Sequence, residues 1–126
     1  MDRGPLIRRF LLDVVTQNAD ALKQYFSADA RVRWHNTNEQ FTADEYILVN
    51  CEYPGNWRGE VERVEHGGNT SVSVARVWSP DDGVSFHVTS FFDFCDGKIR
   101  TLSEYWSEDG DAPQWRLDKH IGTPIK

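Results

Sequence analysis

Glu104 and Trp106 are the two side chains in this sequence best suited to chemistry. They lie in the segment GKIRTLSEYW, which follows the turn pair Asp96-Gly97 and is typical of the second strand of a tight hairpin. Residues two apart in a strand share a face, so Leu102, Glu104 and Trp106 are predicted to point the same way. A carboxyl beside an indole in a cavity can have a raised pKa and act as a general acid or base. A structural carboxylate that accepts hydrogen bonds from its neighbours fits the same pattern.

The composition limits the class of protein. The chain has 126 residues, which suits one domain with a single core. We interpret residues 1–126 as that domain, with a core over about 5–108 and an extension over 109–126. Twenty acidic residues against 14 basic ones give a net charge of −6, which does not suit nucleic-acid binding. Because no apolar run resembles a membrane span or a signal peptide, we expect no membrane association and a cytoplasmic location.

The residues that usually hold metals or cofactors form no motif. Cys51 and Cys95 lie in a predicted helix and a predicted strand, where we expect buried, reduced thiols. The four histidines share no metal-ligand spacing with each other or with these cysteines. The sequence also has no phosphate-binding glycine loop and no nucleophile motif. We therefore expect neither a metal site nor a cofactor.

Three helices are predicted in the N-terminal half of the chain. Apolar residues at helical spacing indicate an amphipathic helix over 6–15. A second, short helix is expected over 18–26, because Asn18 is a good N-cap. Thr42 and Glu45 have the spacing of a capping box, which predicts a third helix that ends near residue 51.

Strands dominate the rest of the chain. The alternation in 31–35 predicts an N-terminal strand, and Ser27-Ala28-Asp29 is expected to break the pattern before it. Turn signals then separate four long predicted strands, over 57–66, 70–79, 84–95 and 98–107. Strands of that length must twist and curl. We therefore predict an α+β fold in which a curved antiparallel sheet, made of the meander and the N-terminal strand, is closed by three N-terminal helices.

This order of elements, with the strings DARVRW and DGKIRTLSEYWSE, resembles the nuclear transport factor 2-like superfamily over residues 5 to about 108. The superfamily includes SnoaL-like polyketide cyclases and ketosteroid isomerases. The resemblance implies a cone-shaped, cystatin-like fold around a deep, largely apolar pocket. It also implies a homodimer that packs through the outer face of the sheet.

The resemblance does not carry steroid isomerase activity with it. Ketosteroid isomerases place a catalytic Tyr in the first helix, and an Asp in each of two strands. The matching positions here hold Phe10, Trp34 and Ser90, of which Phe10 cannot donate a hydrogen bond and Trp34 cannot abstract a proton. Only the pocket Trp is retained, as Trp106. We therefore reject steroid isomerisation by that mechanism.

A predicted set of pocket residues follows from strand register and from the resemblance. These residues should form an aromatic-walled cavity with a few polar groups around Glu104, and Glu39 is a further polar candidate. The predicted lining residues are Phe10, Val14, Trp34, Asn36, Tyr46, Asn50, Trp57, Val88, Ser90, Phe92, Leu102 and Trp106.

Two segments could cover the pocket. Pro54-Gly55 is a strong turn signal between Tyr53 and Trp57, so this segment is either a lid with an apolar underside or an ordinary connection. The extension 109–126 contains Trp115 and other apolar residues, and it should dock on the pocket or on a partner subunit.

The outer face of the sheet is predicted to carry His87, Thr89, Phe91 and Tyr105. An apolar sheet face is an association site, so we expect these residues to form the homodimer interface. If the register were shifted by one residue, His87 would face the pocket and could act as a general base.

Two functions remain open. The first is a small-molecule-binding protein that performs cofactor-independent acid–base chemistry with Glu104. The second is a non-catalytic ligand-binding or dimeric association domain, which the single strong carboxylate leaves open.

The predicted homodimer can be tested in solution. We expect sedimentation analysis at micromolar concentration to give the mass of two chains, because the outer face carries Phe91 and Tyr105. A monomer at that concentration would rule the interface out.

Overall fold

The structure is a computed structural model and describes residues 2–126. Four helices and six strands follow one another along the chain. The helices are α1 (Gly4–Val15), α2 (Ala19–Leu22), α3 (Ala43–Glu52) and α4 (Gln114–Asp118). The strands are β1 (Phe26–Trp34), β2 (Glu39–Thr42), β3 (Arg58–Gly67), β4 (Thr70–Ser79), β5 (Val84–Cys95) and β6 (Lys98–Glu108). The predicted α+β class and the four-strand meander are confirmed.

The six strands form one sheet in the order β2-β1-β6-β5-β4-β3. The meander from β3 to β6 is antiparallel, as predicted. β1, however, pairs with β6 in parallel, so the prediction of a wholly antiparallel sheet was wrong for this pair. Only a tight turn forces an antiparallel arrangement, and β1 is separated from β6 by α3 and the rest of the meander.

The start of β1 was predicted five residues too late. α2 ends at Leu22, and the strand begins at Phe26 and continues through the segment expected to break it. Leu22 and Phe26 are both buried and their spacing also fits a helix. The strand forms because pairing with β6 places Phe26 opposite Ile99. Tertiary contacts here override the local propensity for a helix.

The short strand β2 was not predicted. It pairs with β1 across a turn, and Asn38 occupies the left-handed region in that turn with φ 57°. β2 forms one edge of the sheet and leads directly into α3. At the start of α3, the Thr42 hydroxyl accepts from the Glu45 amide at 3.2 Å and the Glu45 carboxylate accepts from the Thr42 amide at 2.8 Å. The predicted capping box is therefore present.

The helix α1 packs its apolar face onto the concave side of the sheet. Pro5 lies in its first turn, where a missing amide hydrogen carries no penalty. Ile7 and Phe10 are 1 % and 3 % exposed. The Phe10 ring contacts the Phe26 and Phe92 rings edge to face, with centroids 5.8 Å apart in both pairs. These contacts close the narrow end of the cone.

Two expectations about the end of the chain and the cysteines need correction. Cys51 is half-buried in α3, but Cys95 at the end of β5 is exposed, so the prediction of a buried thiol was wrong there. The extension 109–126 contains α4, which was not predicted, and all of its residues are exposed. Trp115 is 58 % exposed. Beyond Asp109, which bonds Ser85 and His87 on β5, the extension does not line the cavity, and its docking on a partner subunit stays a prediction.

Among residues 2–126, no helix is long and apolar enough to cross a membrane.

The capping box makes the stability of α3 testable. Replacing Thr42 with Ala removes the side-chain acceptor of the Glu45 amide, and we expect the free energy of unfolding to fall by about 1 kcal/mol. Urea unfolding followed by circular dichroism measures this change. Thr42→Ser keeps the hydroxyl and is the matched control, so an equal loss in both variants would contradict the role of the cap.

Candidate functional site

A cavity of about 460 Å³ opens between the concave face of the sheet and the ends of α1 and α3. Its wall is mostly aromatic, and Glu104 is the buried carboxyl within it. Nine of the residues proposed from the sequence line it: Val14, Trp34, Asn36, Glu39, Tyr46, Asn50, Trp57, Glu104 and Trp106. A cavity of this size and character is typical of a small-molecule site.

The side chain of Glu104 is held by its neighbours on three adjacent strands. Glu104 lies on β6, directly opposite Trp34 on β1 and Ser90 on β5. The Trp34 indole donates to Oε1 at 3.0 Å and the Ser90 hydroxyl donates to Oε2 at 3.1 Å. Directly opposed residues on one sheet face lie close enough for such contacts. The strand register therefore positions the carboxyl.

Burial raises the pKa of Glu104 above its ordinary value of 4.5. The side chain is removed from water, which disfavours the charged form. Hydrogen bonds from Trp34, Ser90 and Trp106 act in the opposite direction and favour the carboxylate, but they do not outweigh the loss of hydration. The carboxyl can therefore exchange its proton at a higher pH than a surface glutamate.

Tyr46 places a second polar group in the same cavity. The side chain is 2 % exposed, and within residues 2–126 its hydroxyl has no hydrogen-bond partner. No fully enclosed side-chain nitrogen or oxygen atom in that range lacks a partner, so the hydroxyl must retain contact with the cavity. Burial, followed by the nearby Glu104 charge, raises the pKa of Tyr46 well above its ordinary value. Tyr46 is therefore a neutral hydrogen-bond donor.

The two asparagines of the predicted site bind the protein backbone. The Asn36 side chain accepts from the Trp106 amide at 2.7 Å and donates to the Trp106 carbonyl. The Asn50 amide donates to the carbonyl of Val14 at 3.0 Å. Asn36 extends the pairing of β1 with β6, while Asn50 ties α3 to the end of α1.

Residues 53–57 form part of the cavity mouth. Tyr53 and Trp57 both line the cavity, and their ring centroids are 5.9 Å apart. The Trp57 indole donates to the Pro54 carbonyl at 2.9 Å. Gly55 has φ 115°, and a Cβ there would lie 2.9 Å from the Trp57 ring nitrogen. Glycine is therefore required for this turn to hold Trp57 against it.

The other predicted lining residues lie deeper in the cone. Phe10, Val88, Ser90 and Phe92 line a much smaller void that also touches Glu104 and Trp106. Leu102 is fully buried in the core, so the structure does not bring it to the cavity. The inner end of the cone is filled by packed side chains, which leaves the outer part open.

Several lining residues were not identified from the sequence: Val15, Gln17, Thr37, Val77 and Glu108. Strand alternation beyond Trp106 could have indicated Glu108. Gln17 gave no such signal, because it follows α1 in the left-handed region with φ 55°. Its side-chain amide donates to the carbonyls of Asn50 and Tyr53 at 2.9 and 2.7 Å, which joins the ends of two helices.

His87 lies outside the cavity, on the outer sheet face. Its ring bonds the Asp109 carboxylate and lies 3.2 Å from a Glu62 carboxylate oxygen. The Asp109 hydrogen bond is the largest cause of the raised pKa of His87. On the same outer side, Phe91 and Tyr105 are 40 % and 47 % exposed. The predicted homodimer through this face stays a prediction.

Among residues 2–126, no group of three or more His, Cys, Asp or Glu side chains is arranged to hold a metal ion.

The model of the SnoaL-like domain family matches residues 7–102, so the chain belongs to that family. A Kribbella flavida protein provisionally described as a ketosteroid isomerase aligns with TM-score 0.75 and 20% identity, over 94% of this chain and 89% of that one. An NTF-2 like protein of unknown function from Burkholderia xenovorans LB400 gives TM-score 0.75 and 20% identity, over 93% and 90% of the two chains.

A third structure of the same fold contains a small molecule. It comes from Catenulispora acidiphila, has a ketosteroid isomerase-like fold and is described as a complex with trimethylamine. It aligns with TM-score 0.66 and 14% identity, over 75% of this chain and 79% of that one. No curated protein matches the chain significantly. At these identities, the similar structures establish the fold.

The raised pKa of Glu104 predicts a pH-dependent stability. As the pH rises above about 4.5, the unfolded chain loses the Glu104 proton before the folded chain does. The wild type should therefore lose stability relative to Glu104→Gln until the pH passes the folded-state pKa, and the difference should then stay constant. Urea unfolding of both proteins at a series of pH values measures this difference. A difference that does not change with pH would contradict the raised pKa.

Proposed function

We propose that this chain binds a small, mostly apolar molecule and performs cofactor-independent acid–base chemistry of the isomerase, cyclase or dehydratase type. Glu104 is the proton carrier. The observation that carries this proposal is a buried carboxyl in an aromatic-walled cavity, hydrogen-bonded to Trp34 and Ser90 and, among residues 2–126, to no cationic side chain. A raised pKa suits a group that must both accept and release a proton.

Tyr46 supplies the complementary group. Removal of a proton from carbon by Glu104 leaves negative charge on the substrate, and an adjacent carbonyl oxygen would take up that charge. The hydroxyl of Tyr46 is neutral and buried and has no hydrogen-bond partner among residues 2–126, so it is available to donate to that oxygen. Donors already oriented toward developing charge are usually the largest single contribution to catalysis.

The family and the similar structures support the general class. SnoaL-like domains share their fold with the Kribbella flavida protein, whose provisional description is an isomerase. The Catenulispora acidiphila protein holds trimethylamine, so a protein of this fold can bind a small organic molecule. Both observations agree with a ligand-binding cavity in this chain.

A non-catalytic ligand-binding or dimeric association domain is the second candidate. The bonds of Asn36 and Asn50 to backbone atoms favour it, because these two amides are engaged within the protein. Glu104 would then be a structural carboxylate that joins β1, β5 and β6.

Kemp elimination of 5-nitrobenzisoxazole distinguishes the two candidates without knowledge of the natural substrate. In this reaction a base removes the proton on carbon 3, the N–O bond breaks, and a cyanophenolate forms that is followed by absorbance. We expect Glu104→Gln to lower the rate at least about 100-fold, the usual contribution of a general base. Tyr46→Phe should lower it less, because a phenolate is already a stable leaving group.

Two controls make the outcome interpretable. Glu60→Gln removes an exposed carboxylate from β3 and should leave the rate unchanged. Binding of the neutral dye N-phenyl-1-naphthylamine, followed by its fluorescence, should stay within about tenfold in Glu104→Gln. If the wild type and Glu104→Gln have equal rates while both bind the dye, the result supports a non-catalytic ligand-binding domain and contradicts the proposed acid–base activity.

A further inference from the structure

The cavity wall carries three carboxyl groups and, among residues 2–126, no basic side chain. Of its sixteen lining residues, three are the carboxylates Glu39, Glu104 and Glu108, and within the described range 2–126 no lysine, arginine or histidine lines it. A cavity for a phosphate or carboxylate ligand would need a cation or several amide donors at its wall. The observed wall therefore disfavours an anionic ligand.

None of these three carboxylates forms an ion pair within residues 2–126. Glu104 accepts from the neutral groups of Trp34 and Ser90, and Glu39 accepts from the Thr37 hydroxyl at 2.6 Å. A carboxylate can accept about four hydrogen bonds, so Glu104 retains capacity for a donor from a ligand. A buried carboxylate without a cation is costly, and a positively charged ligand would reduce that cost.

Aromatic rings supply the remaining surface for a cation. Three tryptophans line the cavity, with Phe86 between two of them. The Trp106 and Phe86 centroids are 6.2 Å apart with the ring planes at 81°, and those of Trp57 and Phe86 are 6.1 Å apart at 48°. Rings inclined in this way enclose a space from several sides. Such an arrangement suits ammonium groups, which are attracted to aromatic faces, most strongly to tryptophan.

We propose that the cavity takes an organic ammonium ion, an amine or quaternary ammonium group carried on an apolar body, with Glu104 facing the charge and the tryptophan rings around it. This inference rests on the proposed function, since it names the ligand class of the same cavity. Glu39 and Glu108 lie at the exposed rim, where they would attract the cation to the mouth. The apolar body would occupy the space between Trp57, Phe86 and Val77.

Three probes of nearly equal shape separate charge from size. These are the cation benzyltrimethylammonium, its neutral isostere neopentylbenzene and the anion phenylmethanesulfonate. Each is titrated against wild-type protein carrying N-phenyl-1-naphthylamine, and displacement is read from the dye fluorescence. We expect the cation to bind at least about tenfold more tightly than the neutral isostere, as desolvated cation–π contacts and a facing carboxylate would give. The anion should bind most weakly.

Variants then identify which carboxyl groups give the cavity its preference for the cation. Glu104→Gln should weaken binding of the cation more than binding of neopentylbenzene, and the rim variant Glu39→Gln/Glu108→Gln should reduce the cation preference less. The Glu60→Gln control should change neither. The rim variant keeps the test valid if Glu104→Gln does not fold, because both rim residues are exposed.

The outcomes separate this inference from the proposed function. If the dye and the neutral isostere bind but the cation has no advantage, the ligand class is wrong and the binding cavity stands. If the dye does not bind and calorimetric titration of the three probes shows no binding either, the cavity is not a ligand site and both proposals fail. A preference for the anion would also overturn the inference.

Discussion

The structure depends on one buried carboxyl that is bonded across three strands. Glu104 on β6 accepts from Trp34 on β1 and from Ser90 on β5, which joins the N-terminal strand to the meander at the centre of the sheet. The parallel pairing of β1 with β6 is what brings Trp34 opposite Glu104. If β1 slipped by one residue, the indole would turn to the outer face, and the carboxyl would lose one of the two side-chain donors that hold it.

The environment of this carboxyl is balanced between two opposing effects. Three neutral donors favour the charged form, and burial disfavours it more strongly, so the pKa is raised. A lysine or arginine at the same distance would have reversed this balance. Because no basic side chain among residues 2–126 lines the cavity with Glu104, the cavity keeps both a titratable carboxyl and an excess of acidic groups. These are the properties on which acid–base chemistry and cation binding would each depend.

The length of the strands separates the core from the cavity. β5 and β6 are 12 and 11 residues long, so one end of the curved sheet is filled by Phe10, Phe92 and Leu102 while the other end extends beyond the helices. There Gln17 and Asn50 tie α1 to α3, and Trp57 is held by its turn. Hydrogen bonds to backbone atoms therefore fix the mouth of the cavity. The side-chain amides of Gln17 and Asn50 are used in these bonds, so they are less available to bind a ligand.

The sequence by itself determined the local features of this protein. The capping box of α3, the turns of the meander and the shared face of Glu104 and Trp106 follow from short-range spacing, because side-chain alternation and capping involve residues only two to three positions apart. The tertiary structure alone decided the direction of β1, the early start of that strand at Phe26, and the contribution of Gln17 to the mouth. It also decided which inward-facing residues fill the core and which border open space. All of these features depend on contacts between segments that are distant in the chain. The pattern of residues along the sequence does not show how much of the sheet each helix covers.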